Sequence, residues 1–178
     1  MKLRDLRPKD AEPMLAWMHD PFVVEKFHTV FTSKTIEDCN SFIQDSCDSE
    51  NIHLAITDDQ DEYMGTVSLK HITEETAEFA IVVRRNAMGK GYAIWAMKEI
   101  LKMGFEEYGL QTIYWCVARD NTRALRFYDK NGFERVCPAN LRFAEGYTEK
   151  EIQDYIWYQV SALKTSAEGR SLRVGSFE

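Results

Sequence analysis

The sequence predicts one domain with a mixed α/β (α+β) fold, in which helices cover both faces of a mostly antiparallel central sheet. Two strand-like segments, Ile52 to Thr57 and Met64 to Ile72, flank a short charged loop and form an antiparallel meander. A strand, a helix, a second strand and a second helix then follow between Glu78 and Lys130. Residues 78–83 are apolar except for the first, which is typical of a central strand covered on both faces. This succession predicts a mixed sheet.

Local signals predict the remaining elements. Asp10 is placed to cap a first helix, and Asp20 followed by Pro21 ends it. Thr35 is placed to cap a second helix, with Asp38 as the acidic partner three residues later. We also expect an edge strand at 1–6, helices at 92–105 and 121–130, strands at 112–117 and 155–160, and a polar connection at 142–150.

The length and composition fit one domain. The chain has 178 residues, of which 44% are hydrophobic and 29% charged, enough for a single core. We place the domain at 1–162 and treat 163–178, which lack periodicity and contain glycines and serines, as a flexible C-terminal tail. The net charge is -7 and no basic block is present, so we expect no nucleic-acid partner.

The cysteines and histidines show no metal-binding pattern. Cys39, Cys47, Cys116 and Cys137 form no C-x-x-C pair and have no metal-ligand spacing with the four histidines. We therefore expect reduced thiols in a cytoplasmic protein, with no metal. No apolar run approaches the length of about 20 residues that spans a bilayer, so no membrane partner is expected.

A glycine pair follows the central strand. Gly89, Lys90 and Gly91 stand directly before the predicted helix that starts at Tyr92, so backbone N–H groups at a helix N-terminus can face a diphosphate. The Rossmann fingerprint is excluded because Ile94 occupies the place of its third small residue. A P-loop is excluded because no Ser or Thr follows Lys90. A turn that serves packing alone is the alternative.

Two motifs together resemble the GNAT acetyltransferase superfamily. Its acetyl-CoA motif, Gln/Arg-x-x-Gly-x-Gly/Ala, is matched at the two glycines, while Asn86 departs from it at the first position. Its downstream motif is matched at Asn121, Ala124, Tyr128, Gly132 and Phe133. The start of the chain is similar to the branch that holds ribosomal-protein alanine N-acetyltransferases and spermidine acetyltransferases. The resemblance covers roughly residues 1–160 and implies a GNAT-like sheet.

The resemblance implies a coenzyme site for acetyl-CoA. In the family the central strand bulges and separates from the next strand, and the freed main chain here would be that of Val82, Val83 and Arg84. Backbone N–H groups of the glycine turn would bind the diphosphate, at Met88, Gly89, Lys90, Gly91, Tyr92 and Ala93. Residues 22–31, which include His28, correspond to a region that helps to form the acceptor site.

Two motif residues share one face of the second helix. Asn121 and Tyr128 are seven residues apart, or two helical turns. The resemblance places Asn121 beside the pantetheine and makes the Tyr128 hydroxyl the general acid that protonates the departing thiolate. The alternatives are an N-cap for Asn121 and a packed aromatic for Tyr128.

Glu78 is the candidate general base. It begins the apolar central strand, where burial would suit its carboxylate to taking a proton from the amine. The alternative is a strand-end glutamate in solvent. Some family members carry a glutamate where this chain has Cys116 or Trp95, so Glu78 has few competitors. His19, His53 and His71 are predicted to be surface or packing residues, and His28 is the one expected near an acceptor.

The resulting prediction is an acetyl-CoA-dependent N-acetyltransferase that acts by direct attack. The acceptor is a small-molecule amine or a peptide N-terminus, and the sequence does not choose among peptide N-termini, polyamines, aminoglycosides and amino sugars. Two alternatives remain open: a non-catalytic acetyl-CoA sensor or scaffold, and an acyltransferase for a longer acyl-CoA. A homodimer is common among relatives, and the sequence leaves the oligomeric state open.

Overall fold

A computed structural model describes residues 1–27, 29–141 and 147–162, which form seven strands and six α-helices. The strands are β1 (Lys2–Asp5), β2 (Ile52–Thr57), β3 (Tyr63–Lys70), β4 (Thr76–Val83), β5 (Thr112–Ala118), β6 (Arg135–Val136) and β7 (Tyr155–Ser161). The helices are α1 (Ala11–Met18), α2 (Pro21–Val24), α3 (Ile36–Gln44), α4 (Tyr92–Glu106), α5 (Thr122–Lys130) and α6 (Glu149–Asp154). The predicted tail, 163–178, and His28 lie outside the described residues.

The strands form one sheet in the order β1-β2-β3-β4-β5-β7-β6. Every neighbouring pair is antiparallel except β4 and β5, so the predicted mixed, mostly antiparallel sheet is confirmed. The parallel pairing of β4 with β5 covers only Thr76 to Glu78 opposite Thr112 to Tyr114. Beyond these pairs the two strands separate. We call the gap between Phe79–Val83 and Trp115–Ala118 the fork.

Helices cover both faces of the sheet, as predicted. On one face, Ala96, Met97 and Ile100 of α4 are fully buried in a core that also includes residues of β2 to β5 and α5. On the other face, Met14 of α1 and Cys39 of α3 belong to a second core that includes residues of β2 and β3. Each helix buries its apolar stripe because the sheet offers an apolar face on both sides.

Of the two predicted helix caps, the one at Thr35 is confirmed and the one at Asp10 is wrong. Thr35 and Asp38 form a reciprocal capping box: Asp38 N–H donates to Thr35 Oγ1, and Thr35 N–H donates to Asp38 Oδ2. Asp10 does not cap α1. Its buried carboxylate accepts hydrogen bonds from Arg4 at 2.7 and 2.9 Å and from the Arg7 N–H at 2.8 Å. An ion pair to β1 has replaced the cap because the guanidinium offers two donors to one carboxylate.

Three short elements were not predicted: α2, α6 and β6. The first follows Asp20, whose carboxylate accepts a hydrogen bond from the Phe22 N–H at 3.0 Å. Thr148 and Glu151 form a capping box that starts α6, within the run read as a polar connection. Elements of two to six residues are too short for a hydrophobic period to reveal them.

Candidate active site

A cavity of about 700 Å³ opens into the fork. Its walls are the diverging strands, residues 78–83 and 115–118. The glycine turn and the first turns of α5 close it on one side, and Val23, Lys26 and Phe27 close it on the other. The cavity exists because β4 and β5 stop pairing at Glu78, so the main chain of both strands borders it.

The main chain of β4 alternates between the fork and β3. The Arg84 N–H donates to the Met64 carbonyl at 2.8 Å, so alternation directs the peptide groups of Val82 toward β3 as well. The same alternation directs those of Ile81 and Val83 into the fork. The pairing of β3 with β4 runs from Gly65 to Lys70 without a register shift, so no bulge interrupts it. The strands separate without it.

The glycine turn has the backbone that the motif requires. Gly89 has φ 75° and Gly91, the N-cap of α4, has φ 85°, both in the left-handed region that favours glycine. A Cβ on Gly89 would meet no atom within 4 Å, so the turn faces open space. The N–H groups of Tyr92 and Ala93 lie in the first turn of α4, where a helix supplies no acceptor. The turn therefore offers donors to an anion.

The predicted coenzyme residues divide by their relation to the cavity. Those that line it are Val82, Val83, Met88, Gly89, Gly91, Ala93 and Asn121. Those that do not line it are Arg84, Lys90 and Tyr92. Arg84 is directed elsewhere, because its guanidinium donates to the Tyr63 carbonyl at 2.9 Å. The Met88 N–H already donates to the Arg85 carbonyl at 3.3 Å, which leaves the later N–H groups of the turn as the available donors.

The position of Asn121 is compatible with both of its predicted roles, as a helix N-cap and as a contact for the coenzyme. Its side-chain oxygen accepts a hydrogen bond from the Ala124 N–H at 3.2 Å, so it is the N-cap of α5. It also lines the cavity. A cap uses only the side-chain oxygen, so the Asn121 amide nitrogen remains a donor for a ligand in the fork.

Tyr128 lies on the second turn of α5 and lines the cavity while being buried. Its ring packs against Trp115, Tyr158 and Phe133, with centroids 5.1 to 6.1 Å apart. This burial raises the pKa of the Tyr128 hydroxyl well above that of a tyrosine in water. The phenol consequently keeps its proton through the physiological range and can act as a donor.

Glu78 stands at the last pair before the fork, and it lines the cavity. Its side chain is 7% exposed, so the prediction of burial is confirmed. Oε1 accepts hydrogen bonds from Lys70 Nζ at 3.0 Å and from the Tyr147 hydroxyl at 2.8 Å. Glu78 and Tyr128 approach the fork from opposite faces of the sheet. Glu78 pairs with Tyr114 of β5, so their side chains share a face. The ring of Tyr128 packs on Trp115, the next residue of β5, whose side chain points to the other face.

Two further residues of this site were not predicted. Tyr147 lines the cavity, and its hydroxyl lies 3.8 Å from the thiol of Cys116 as well as bonding Glu78. Lys70 pairs with Glu78 across β3 and β4. The register of a hairpin could have revealed Lys70, but no sequence signal connects Tyr147 with a residue 69 positions earlier.

The segment that contains Phe22 and Lys26 contacts residues that precede α4 and residues at the start of α5. Phe22 lies between two guanidinium groups, with the Arg85 carbon 4.5 Å and the Arg123 carbon 5.0 Å from its ring centroid. Arg123 also donates to the Phe22 carbonyl at 3.2 Å, and Lys26 pairs with Asp120 at 2.9 Å. Arg123 and Lys26 both line the cavity, so two cations stand at its mouth.

Within the described residues, no group of three or more His, Cys, Asp or Glu side chains is arranged to hold a metal ion. In the same part of the chain, no helix is both long enough and apolar enough to cross a bilayer.

Comparison with known proteins shows the family. Residues 1–134 match the model of the acetyltransferase (GNAT) domain. Acetyltransferase PseH of Campylobacter jejuni (serotype O:23/36, strain 81-176) is 27% identical over 131 residues, which cover 72% of this chain and 80% of that protein. Spermidine N(1)-acetyltransferase of Escherichia coli K12 is 28% identical over 145 residues, or 75% of this chain and 72% of that protein.

A solved structure shows the same fold. The crystal structure of spermidine N-acetyltransferase from Vibrio cholerae, in complex with CoA and spermine, has a TM-score of 0.72 at 21% identity. The match covers 90% of this chain and 94% of that one. Since the family model matches well over half of the sequence and the fork and glycine turn are in place, the chain belongs to the GNAT acetyltransferase family.

Proposed function

We propose that the protein transfers an acetyl group from acetyl-CoA to a primary amine by direct attack. The observation that carries this proposal is the fork, an open gap between two strands with a buried carboxylate on one face and a buried phenol on the other. An acyl group held in the gap would have a proton acceptor and a proton donor within reach from opposite sides.

The glycine turn supports the coenzyme assignment. Both of its glycines have a left-handed backbone, Gly89 faces open space, and the first N–H groups of α4 are free of helical partners. A diphosphate fits such a turn because the N–H dipoles and the helix N-terminus both favour negative charge. Acetyl-CoA supplies the thioester carbonyl when bound, while peptide groups of Ile81 and Val83 are available in the fork to hold the extended arm.

Glu78 and Tyr128 divide the proton transfers. The Glu78 carboxylate would remove a proton from the amine, because an ammonium group has no lone pair for attack. Tyr128 would supply a proton to the departing sulfur, since burial raises the pKa of its hydroxyl and keeps it protonated. Their placement on opposite faces matches an acceptor and a coenzyme that enter the fork from different sides.

The only thiol that lines the cavity in the described residues is Cys116, and it is poorly suited to an acyl-enzyme. Burial raises the pKa of Cys116 to about 12, so the nucleophilic thiolate is scarce at neutral pH. Transfer through a covalent cysteine intermediate would need that thiolate. Direct attack by the amine is therefore the favoured route.

A thiol-release assay tests the proposal over four acceptor classes: peptide N-termini, polyamines, aminoglycosides and amino sugars. We expect turnover with at least one class, together with calorimetric binding of acetyl-CoA and initial-rate lines that intersect when both substrates are varied. Parallel lines would indicate an acyl-enzyme and overturn direct attack. The absence of both turnover and coenzyme binding would overturn the proposal itself. Binding without turnover would favour a sensor.

A further inference from the structure

We propose that His71 is a proton relay that connects Glu78 with solvent. The proposal rests on the proposed acetyl transfer, and it concerns a histidine that neither motif of the family includes. Glu78 lines the cavity, and His71, the residue directly after β3, lies beside its carboxylate. A base that takes a proton in a buried position must return it to water before the next turnover.

The two carboxylate oxygens of Glu78 differ in their partners. Oε1 accepts from Lys70 and Tyr147. Oε2 is buried and has no hydrogen-bond partner among the described residues. A buried carboxylate oxygen without a donor is destabilising, so its retention calls for an explanation, and a catalytic role is one. Oε2 is therefore the oxygen available to receive and to release a proton.

His71 is a titratable neighbour of Oε2. Its Nε2 lies 3.7 Å from Oε2, and its side chain is 47% exposed, so the ring reaches from the buried carboxylate to water. A small rotation of either side chain would bring the two atoms to hydrogen-bond distance. An imidazole has two ring nitrogens, so it can accept a proton on one of them and release a proton from the other.

The backbone holds His71 in this place at a cost. It has φ 50°, in the left-handed region, where residues other than glycine are uncommon. Its N–H contacts Asn51 Oδ1 at 3.4 Å, and the next N–H, of Ile72, donates to the Glu50 carbonyl at 2.8 Å. Strained backbone that is retained by neighbouring bonds is frequent at functional sites.

The other groups around Glu78 are less suited to the task. Lys70 Nζ is bonded to Oε1, and a lysine ammonium ordinarily keeps its proton at neutral pH. Burial raises the pKa of both the Tyr147 hydroxyl and the Cys116 thiol, so both hold their own protons at neutral pH and neither passes a proton on readily. The ion pair with Lys70 instead fixes the carboxylate through Oε1 and leaves Oε2 on the side of His71.

The protons balance through this route. Conversion of an ammonium and a thioester into an amide and a thiol forms a C–N bond and breaks the C–S bond. Nitrogen loses two protons, of which one ends on sulfur and one reaches solvent. In the proposed route, Glu78 takes the second proton and transfers it to His71 Nε2, which releases it to water. His71 acts through Glu78 and touches no substrate.

The test replaces His71 with Asn or Gly, both of which tolerate a positive φ. His71→Asn should lower kcat by about tenfold near neutral pH while the affinity for acetyl-CoA and the thermal midpoint stay unchanged. His71→Gly leaves space beside Oε2, so free imidazole in the assay should restore most of its rate. His19→Asn is the matched control, because His19 is another exposed histidine, bonded to the Lys34 carbonyl.

The possible outcomes distinguish a failure of the His71 relay from a failure of the proposed acetyl transfer. Loss of rate in both His71 variants with imidazole rescue of the glycine variant supports the relay. A wild-type rate in His71→Asn, or a loss in His71→Gly that imidazole does not relieve, overturns it. If one variant fails to fold, the rate of the other can still be compared with that of the unaltered enzyme. As a control, the rate of the unaltered enzyme should not change when imidazole is added. Absence of turnover by the unaltered protein overturns the proposed function instead.

Discussion

The Tyr147 hydroxyl donates a 2.8 Å hydrogen bond to Oε1 of Glu78, which lies 69 residues earlier in the chain. Lys70 Nζ donates to the same oxygen at 3.0 Å. Two donors on one oxygen fix the orientation of the carboxylate and direct its other oxygen away from them. The candidate base is therefore positioned by two side chains that no motif contains.

Tyr147→Phe should lower kcat/KM for the amine by about tenfold, because a hydrogen bond to a charged group is worth about 1.5–3 kcal/mol. The affinity for acetyl-CoA should not change, since Tyr147 bonds Glu78, which lies on the proposed acceptor face. Steady-state kinetics and calorimetry measure both quantities. Tyr155→Phe removes the same atom from another tyrosine that lines the cavity and serves as the control. Equal effects of the two changes would contradict a specific role for Tyr147.

Tyr128→Phe should lower kcat by about a hundredfold, the lower range for loss of a general acid, while coenzyme affinity is retained. Burial raises the pKa of Tyr128, so the unaltered enzyme should show no loss of rate from this group on the alkaline side below about pH 10. Single-turnover measurements across pH check both statements. Tyr92→Phe is the control, because Tyr92 does not line the cavity. An unchanged kcat in Tyr128→Phe would remove the phenol from the mechanism.

Gly89→Ala should weaken acetyl-CoA binding by at least about tenfold, because a Cβ at φ 75° strains the turn by about 1–2 kcal/mol and approaches the diphosphate. Gly109→Ala is a matched control, since Gly109 has φ 69° and equally open space around it but lies at the far end of α4. Calorimetry and thermal denaturation compare the two. Both variants should lose similar stability, and only the first should lose affinity; a parallel loss of affinity would assign the effect to strain alone.

Asp61→Asn should lower the thermal midpoint by a few degrees at pH 7. Hydrogen bonds from Lys9 and then Arg4 lower the pKa of Asp61 to about 2. Because this folded-state pKa is below the ordinary value of about 3.9, the stabilisation is complete above about pH 4 and is lost as pH falls toward 2. The difference between variant and parent should therefore vanish near pH 2. Asn tolerates the positive φ of 63° at this position.

Asp5→Asn is the control for this series, because Asp5 is an exposed carboxylate of β1. Thermal melts at several pH values should show a difference for Asp61→Asn that shrinks as pH falls, and almost none for Asp5→Asn. A difference that stays constant down to pH 2 would show that the ion cluster at Asp61 does not contribute through its charge.

The long elements could be read from the chain because their signals are local. The apolar run of β4 and the helix-forming run after Gly91 appear in the structure within two residues of their predicted bounds. Thr35 and Asp38 formed their capping box because both partners lie within one helical turn. Asp10 has the same local signal, but Arg4 competes for its carboxylate through the fold of β1. Local reading fails where a distant partner is stronger.

The residues of the candidate site also fall into two groups, those that local motifs predict and those that depend on distant contacts. Gly89, Gly91 and Tyr128 lie at motif positions, and the structure brings all three to one cavity. Arg84 belongs to the same stretch, but its guanidinium bonds a carbonyl of β3. Tyr147 reaches Glu78 only after β7 has paired with β5 and brought its preceding segment across the sheet.

By itself, the sequence determined the family, the order of the longer strands and helices, the glycine turn and the two residues at the centre of the proposed chemistry. These follow from short-range spacing and from motifs that a linear chain displays. Only the tertiary structure decided where β4 and β5 part, which peptide groups face the fork, and that Lys70, His71 and Tyr147 surround Glu78. The reason is that strand register and contacts between distant segments depend on the packing of the whole sheet, which no short stretch of residues specifies.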